Sequence, residues 1–215
     1  MSQNTRKIAV LTGDLVNSTG LGPEKVERAF RALEDCAEMQ AEWMGGQSLH
    51  FTRHRGDGWQ VALMEPKYAL RSALCFRAAL RALGEEFDSY IGMAEGETEG
   101  EIGPDLNAET VSVFIKSGEA LEDLKTTPEV SMCYIDPGIY DALTISLDYI
   151  SNKWTPSQAQ AIIHTLSPGN DLIFTEIAEK LGKSRQAVSK SLRAAGLAHI
   201  ELILETIDRD VRFNA

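Results

Sequence analysis

The stretch that decides the fold lies at residues 49–63, which read LHFTRHRGDGWQVAL. Large side chains alternate with other residues on both sides of the central Gly56-Asp57-Gly58. Alternation with a period of two around an Asp-Gly pair is typical of two antiparallel strands that are joined by a tight turn. The sequence therefore predicts a β-hairpin here, with Asp57 at its tip.

Elements on both sides of the hairpin place it inside a larger sheet. Ile8–Leu11 is a short apolar run that ends at Gly13-Asp14, and it predicts a buried strand. Pro23 begins a helix whose apolar residues recur at helical spacing until Gly45-Gly46. The elements predicted after the hairpin are a helix over Pro66–Leu83, a strand over Tyr90–Ala94, a helix over Val111–Leu124, a strand over Met132–Ile135 and a helix that ends near Tyr149. This β-α-β-β-α-β-α-β order predicts an α+β fold, a ferredoxin-like α/β sandwich.

Composition places the chain among globular proteins. Of its 215 residues, 43% are apolar and 25% are charged, which excludes wholesale disorder. No apolar run approaches the roughly 20 residues that span a bilayer, and the N-terminus lacks a secretory signal, so we expect no membrane partner. Cys36, Cys75 and Cys133 have scattered spacings that indicate small buried residues in a reducing compartment. We therefore expect a cytoplasmic protein.

Charge separates two parts of the chain. Residues 1–150 hold 13 Lys+Arg against 25 Asp+Glu, a net of −12, whereas residues 151–215 hold 8 against 7, a net of +1. Because an acidic surface repels nucleic acid, any contact with DNA must come from the C-terminal part. The step coincides with a joint at Ser151–Pro156, and we predict one domain over residues 1–151 and another over residues 152–215.

Two acidic residues fall at points that such a sheet brings together. Asp14 ends the first strand and Asp57 lies at the hairpin tip, and these strands are neighbours in a β-α-β-β sheet. Paired carboxylates suit Mg²⁺ or Mn²⁺, and the polar turn with Asn17 and Ser18 offers backbone N–H groups to phosphate oxygens. Each aspartate alone is more typical of a turn, because Asp-Gly is a common hairpin pair. The pair predicts either a metal site or two structural turns.

The segments around these aspartates resemble a known family. IAVLTGDLVNS at residues 8–18 and RHRGDGWQ at residues 53–60 resemble the two metal-binding segments of class III nucleotidyl cyclase domains, and still more those of SatD-type bacterial proteins. The resemblance covers most of residues 7–125. It implies that Asp14 and Asp57 bind two metal ions around a nucleoside triphosphate at a dimer interface, and that Arg53 stands where cyclases place a base-reading lysine.

The segment DLNAETVSVFIK at residues 105–116 departs from the cyclase pattern. It keeps the aspartate, Asp105, as a nucleotide-binding position. Ser112 stands in place of the asparagine that orients the ribose, and Lys116 in place of the arginine that stabilises the transferred phosphoryl group. Lysine lacks the planar fork of arginine, and the alternative is that both residues lie on the solvent face of a helix. We therefore infer nucleotide binding ahead of cyclase turnover.

A second motif stands in residues 154–197. The run TEIAEKLGKSRQAVS at residues 175–189 contains a short helix that ends at Gly182 and a further helix that Ser184 caps. The predicted interior of this unit is Ile177, Ala178, Leu181, Val188 and Leu192. The run closely resembles bacterial helix-turn-helix proteins, except that Lys183 stands where an apolar residue is usual. It predicts an all-α helix-turn-helix domain.

The last helix of such a unit enters the major groove of DNA. The residues predicted to bind DNA are Ser184, Arg185, Gln186, Ser189, Lys190 and Arg193. Arg185 and Gln186 are suited to base edges, because they lie near the N-terminus of the helix, whereas Ser184, Lys190 and Arg193 are suited to phosphates. The alternative is a three-helix module that binds protein.

Our leading hypothesis is a DNA-binding transcriptional regulator, because the helix-turn-helix resemblance is the strongest in the chain. Its cyclase-like domain would form a homodimer and sense a nucleotide or a metal ion, Mg²⁺ or Mn²⁺. The second hypothesis is an active nucleotidyl cyclase, and the third is a degenerate scaffold whose tail binds protein.

Overall fold

The computed structural model describes residues 5–54, 56–127, 129–135, 138–169 and 173–209. Arg55, which belongs to the hairpin stretch, lies outside the described residues. Strands and helices alternate in the order that the sequence predicts, which confirms the α+β fold class. None of the described helices combines the length and the apolar character that a membrane span requires.

A five-stranded sheet forms the centre of the described N-terminal part. Its strands are β1 (Thr5–Leu15), β2 (Thr52–Arg53), β3 (Gly58–Leu63), β4 (Ser89–Glu99) and β5 (Met132–Ile135). They are ordered β2-β3-β1-β4-β5, with β1 antiparallel to both β3 and β4 and with β5 parallel to β4. The first four strands therefore have the ferredoxin-like order, and β5 extends the sheet at one edge.

Helices cover both faces of this sheet. The helices of the described chain, including those of the tail, are in chain order α1 (Ser18–Leu21), α2 (Pro23–Ala41), α3 (Ala69–Arg81), α4 (Ser112–Lys125), α5 (Ile139–Ser151), α6 (Pro156–Ile162), α7 (Phe174–Leu181), α8 (Arg185–Ala194) and α9 (Leu197–Asp208). Ala9 and Leu11 of β1 belong to the core that contains α2 and α3, whereas Ile8 and Val10 belong to the core under α4. A strand that is buried on both faces needs consecutive apolar residues, which explains the run that predicted it.

The first arm of the hairpin is shorter than the sequence predicts. Strand β2 has two residues, whereas the alternating pattern begins at Leu49. His50 interrupts the strand because its backbone is left-handed, with φ at 50°. The Ala62 N–H still donates to Leu49 O at 2.9 Å, so this segment continues alongside β3.

Helix α4 lies directly on β4. A Cβ atom built on Gly92 would lie 2.5 Å from both the Leu121 backbone nitrogen and the Ser117 carbonyl oxygen. Real Cβ contacts are never this short, so the glycine is what allows the helix to approach the strand so closely. This contact fixes the height of α4 above the sheet and thereby positions its last turn.

The described residues of the tail form helices that are joined by short turns. Gly182, with φ at 62°, forms the turn between α7 and α8, and the Ser184 hydroxyl accepts from Ala187 N–H at 3.2 Å to cap α8. Trp154 is buried and donates its Nε1–H to Ala195 O at 2.9 Å. The turn glycine and the cap of α8 therefore occur where the sequence predicts them.

Lys183 has a structural explanation. Its Nζ donates to Ser157 Oγ at 3.0 Å and to Gln160 Oε1 at 3.1 Å, and both partners lie on α6. A polar contact with α6 therefore takes the place of the apolar contact that is usual after the turn glycine.

The tail packs on the α/β part through buried polar contacts as well as apolar ones. Arg71 of α3 donates to Leu166 O at 3.0 Å and pairs with Asp208 of α9 at 2.7 Å, and Arg81 donates to Asn152 O at 3.1 Å. Within the α/β part, Arg77 of α3 is fully buried and donates to Asp148 Oδ1 and Ser151 Oγ of α5, each at 2.7 Å. The apolar core continues from α3 into the tail helices. The division at residues 151 and 152 stays a prediction.

Candidate functional site

Asp14 and Asp57 lie side by side at one end of the sheet. Asp14 is the penultimate residue of β1 and stands opposite Gly58 of β3. The Leu15 N–H donates to Asp57 O at 3.1 Å, which ties the end of β1 to the hairpin tip. The two carboxylates are close enough that each shifts the pKa of the other. The fold therefore brings together the two carboxylates that the sequence singles out.

Two further side chains contact this pair, one from α1 and one from α4. The Ser18 hydroxyl donates to Asp57 Oδ2. Lys125 Nζ, in the last turn of α4, lies 2.9 Å from Asp14 Oδ2 and 3.0 Å from Glu122 Oε1. We call the four residues Asp14, Asp57, Ser18 and Lys125 the carboxylate site.

The two carboxyl groups differ in acidity. Burial raises the pKa of Asp14 above its ordinary value and Asp57 adds to the rise, while Lys125 opposes it. Burial also works against the ionisation of Asp57, but hydrogen bonds from Ser18 and Asp14 outweigh it and lower the pKa of Asp57. The hydrogen bond to Asp14 raises the pKa of Lys125.

The donor set of the carboxylate site suits a hard divalent cation. Two carboxylates and a hydroxyl supply the oxygen ligands that Mg²⁺ and Mn²⁺ prefer. Among the described residues, no group of three or more His, Cys, Asp and Glu side chains is placed to hold a metal ion. Remaining ligands would therefore be water or the oxygens of a bound phosphate. The Lys125 ammonium already occupies one Asp14 oxygen that a metal ion would use.

A cavity of about 540 Å³ opens beside the carboxylate site. Ser18, Asp57 and Arg53 line it, together with the start of α2. The Arg53 guanidinium lies 3.7 Å from the centre of the Phe30 ring and donates to both carboxylate oxygens of Glu27, at 2.7 and 3.2 Å. Two of the predicted nucleotide-binding residues, Ser18 and Arg53, therefore share a cavity with Asp57, and Glu27 engages the guanidinium of Arg53.

The other two predicted nucleotide-binding residues make local contacts. Asn17 is exposed and has a left-handed backbone, with φ at 52°, at the start of α1. Asp105 Oδ1 accepts from the backbone and side-chain N–H groups of Asn107, each at 3.0 Å, and caps a short 3₁₀ turn. Asn107 also donates to Arg53 O at 3.3 Å. Asp105 is therefore a turn cap near the hairpin, and its contact with a nucleotide stays a prediction.

Ser112 and Lys116 are both exposed on α4, whose opposite face packs on the sheet. Lys116 precedes Lys125 by about 13 Å along the helix axis. The described chain therefore does not bring Ser112 and Lys116 to its own carboxylate pair, and their catalytic role stays a prediction. The residue of the carboxylate site that the sequence did not single out is Lys125. A lysine in the last turn of a helix is ordinarily attributed to the helix dipole, so the local pattern gave no other indication.

The predicted DNA-binding residues lie on one helix and its cap. Exposed side chains are those of Ser184, Arg185, Gln186, Lys190 and Arg193, and Ser189 is half-buried. None of the three cations forms an ion pair with another residue of the described chain. These positive charges are therefore available to an external anion.

Comparison with known proteins gives structural likenesses only. No family model matches the chain, and no curated protein matches it. The chain is similar to the guanylyl cyclase Cya2, with 25% identity, a TM-score of 0.35, and coverage of 48% of this chain and 61% of that one. It is also similar to a bacterial light-regulated adenylyl cyclase, with 17% identity, a TM-score of 0.43, and coverage of 61% and 76% respectively. A further structure of a bacterial light-regulated adenylyl cyclase gives 15% identity, a TM-score of 0.43, and coverage of 62% and 44%. Membership of the SatD-type family stays a prediction.

Proposed function

We propose that this protein is a DNA-binding regulator whose α7–α8 unit contacts the major groove. The observation that carries the proposal is the exposed face of α8, where Arg185, Lys190 and Arg193 have no carboxylate partner within the described chain. The whole chain has a net charge of −11, so these three cations without a carboxylate partner form a local positive surface on an acidic protein. Such a face is suited to a polyanion.

The geometry of α7 and α8 supports this proposal. Helix α8 has 10 residues and is therefore about 15 Å long, which fits a helix in the major groove. The left-handed Gly182 turns the chain between the two helices, and Ser184 caps α8 at the end that carries Arg185. Ile177 and Val188 are fully buried, so the two helices share one apolar interior. These are the features of a helix-turn-helix pair.

Roles for the exposed side chains follow from their positions on α8. Arg185 and Gln186 lie in its first turn and would contact base edges, for which arginine and glutamine are well suited. Gln186, Lys190 and Arg193 recur at spacings of four and three residues, so they share one face of the helix. Lys190 and Arg193 would therefore neutralise phosphates beside the bases that the first turn contacts.

We further propose that two copies bind together. A single helix of this length contacts few base pairs, and helix-turn-helix dimers engage two half-sites one helical turn apart. The α/β part is the proposed dimerisation domain, which leaves the exposed face of α8 free in each copy.

Binding by the full-length protein tests the proposal. Fluorescence anisotropy would follow its association with labelled duplexes from its own upstream region and from a random-sequence pool. We expect association that weakens with salt, and Arg185→Ala should reduce discrimination between the preferred and random duplexes by about 1–3 kcal/mol. Lys25→Ala is the matched control, because Lys25 is an exposed cation that pairs with Glu86 on the α/β part. Absence of salt-sensitive binding to every duplex would favour a protein-binding tail instead.

The carboxylate site supports a second candidate function, metal-dependent nucleotide chemistry. Asp14 and Asp57 lie side by side at one end of the sheet, and Asp57 lines a cavity of about 540 Å³ that Arg53 also lines. Asp14 and Asp57 would hold Mg²⁺ or Mn²⁺, which would neutralise phosphate charge when bound. Ser18 orients Asp57 through its hydroxyl, and Arg53 would release Glu27 to contact the nucleotide.

Incubation with Mn²⁺ and each of the four nucleoside triphosphates tests this second function. Cyclic product that disappears in Asp57→Asn would establish a cyclase. Nucleotide binding without product, measured by equilibrium dialysis, would indicate a sensor. Neither binding nor product would leave the two aspartates as turn residues.

A further inference from the structure

Lys125 places a positive charge where the carboxylate site would bind a metal ion. Its Nζ is 2.9 Å from Asp14 Oδ2, and Asp14 and Asp57 receive no other ion pair from the described residues. An ammonium group at this oxygen opposes a divalent cation at contact distance, because their charges repel. We propose that Lys125 is a built-in counter-cation that competes with Mg²⁺ or Mn²⁺ for Asp14, so that metal loading requires its side chain to swing away. This inference rests on the second candidate function, in which the carboxylate pair is a metal site.

The backbone of Lys125 is fixed, whereas its side chain can move. The close packing of α4 on Gly92 holds the last turn of the helix against the sheet. The Lys125 side chain is 37% exposed and has a flexible four-carbon stem. Glu122, one turn earlier, already lies 3.0 Å from Nζ and is 71% exposed. A displaced ammonium therefore keeps one carboxylate partner without any movement of the backbone.

The structure also provides space for the displaced side chain. A cavity of about 400 Å³ lies beside the end of α4, and its lining includes Lys125, Thr126, Tyr90 and Asp88. The Asp88 carbonyl oxygen accepts from Val16 N–H at 3.0 Å, so this cavity adjoins the turn that follows Asp14. Lys125 can move into this space, and although Asp88 is already paired with Arg77 and Arg81, the carboxylate of Glu129 also lines it.

The strength of the competition follows from exposure. A partly exposed ion pair is weak, because water screens its charges. Removing the ammonium abolishes this pair and also its repulsion of an incoming divalent cation. We therefore expect the loss of the Lys125 charge to tighten Mn²⁺ binding by about three- to tenfold.

Mn²⁺ binding to the full chain, followed by electron paramagnetic resonance of the free ion, tests the proposal. The variants are Lys125→Met, Lys125→Arg, Lys25→Met and Asp14→Asn, and thermal unfolding of each shows that it is folded. Lys125→Met should bind Mn²⁺ more tightly than the parent, whereas Lys125→Arg, which keeps the charge, should stay close to it. Lys25→Met changes the net charge equally and breaks a similar exposed pair, so it should not tighten binding.

The outcomes distinguish failure of the Lys125 counter-cation from failure of the metal site itself. Mn²⁺ binding that Asp14→Asn abolishes but Lys125→Met leaves unchanged would overturn the counter-cation and keep the metal site. Equal tightening in Lys125→Met and Lys25→Met would also overturn it, because the effect would then be one of net charge. If Asp14→Asn changes nothing in any background, the pair is not a metal site, and both the second candidate function and this inference fail.

Discussion

Replacing Lys190 with alanine should reduce the salt dependence of DNA binding by an amount that follows from the proposed phosphate contacts. Lys190 and Arg193 are exposed and form no ion pair with another described residue, so each is free to neutralise one phosphate. A dimer then neutralises about four phosphates, and the slope of log K against log salt concentration is about −3.6. Raising the salt from about 50 to 200 mM should weaken the parent about 150-fold.

Lys190→Ala leaves about two phosphate contacts in the dimer, which gives a slope of about −1.8 and a loss of about 12-fold over the same salt range. The assay is fluorescence anisotropy of a labelled duplex over a series of salt concentrations, with Lys25→Ala as the control that keeps the parental slope. An unchanged slope in Lys190→Ala would refute the assignment of this residue to a phosphate. A parental slope near −1.8 would refute two-copy binding, because it is the value for about two contacts.

Three further predictions concern stability and use urea unfolding. Arg77→Met should lower the free energy of unfolding by about 3–5 kcal/mol, because it leaves Asp148 buried without its ion-pair partner, and a loss below about 1 kcal/mol would contradict the buried network. Burial lowers the pKa of His164, so at low pH the unfolded chain binds more protons than the folded chain, and the free energy of unfolding should fall as the pH drops below 6.5. His164→Gln should weaken this pH dependence. An unaltered pH profile in that variant would assign the dependence to other groups. Gly92→Ala should destabilise by about 1–3 kcal/mol, because the new Cβ meets the backbone of α4, whereas Gly118→Ala on the open side of that helix should not. Equal effects of the two glycine substitutions would contradict the close contact of α4 with β4.

Much of the fold could be predicted because its determinants are local. The apolar run Ile8–Leu11 indicates a strand that is buried on both faces. Pro23 and Gly182 indicate where helices begin and end, because each favours the backbone conformation found at that position. The short β2 could not be predicted in the same way. His50 takes a left-handed backbone that its own sequence context does not require.

The candidate site could be predicted only in part. Asp14 and Asp57 could be paired because the order of strands places the end of β1 beside the hairpin tip. Lys125 could not be added to them, because it lies far away in the chain and its contact depends on how closely α4 packs on the sheet. The burial of Arg77 could not be predicted for the same reason. Within α3 it resembles any other helical arginine, and its partners lie on later elements.

The joint between the sheet and the tail has a consequence for how such a protein can evolve. Arg71 of α3 pairs with Asp208 of α9 and donates to Leu166 O, and Arg81 of α3 donates to Asn152 O, so an exchanged tail would leave these arginines without their partners. Recombination that exchanges the whole tail for that of another protein is therefore disfavoured. Under the proposed function, a new DNA-sequence preference would arise instead through single replacements on the exposed face of α8, which makes none of these contacts.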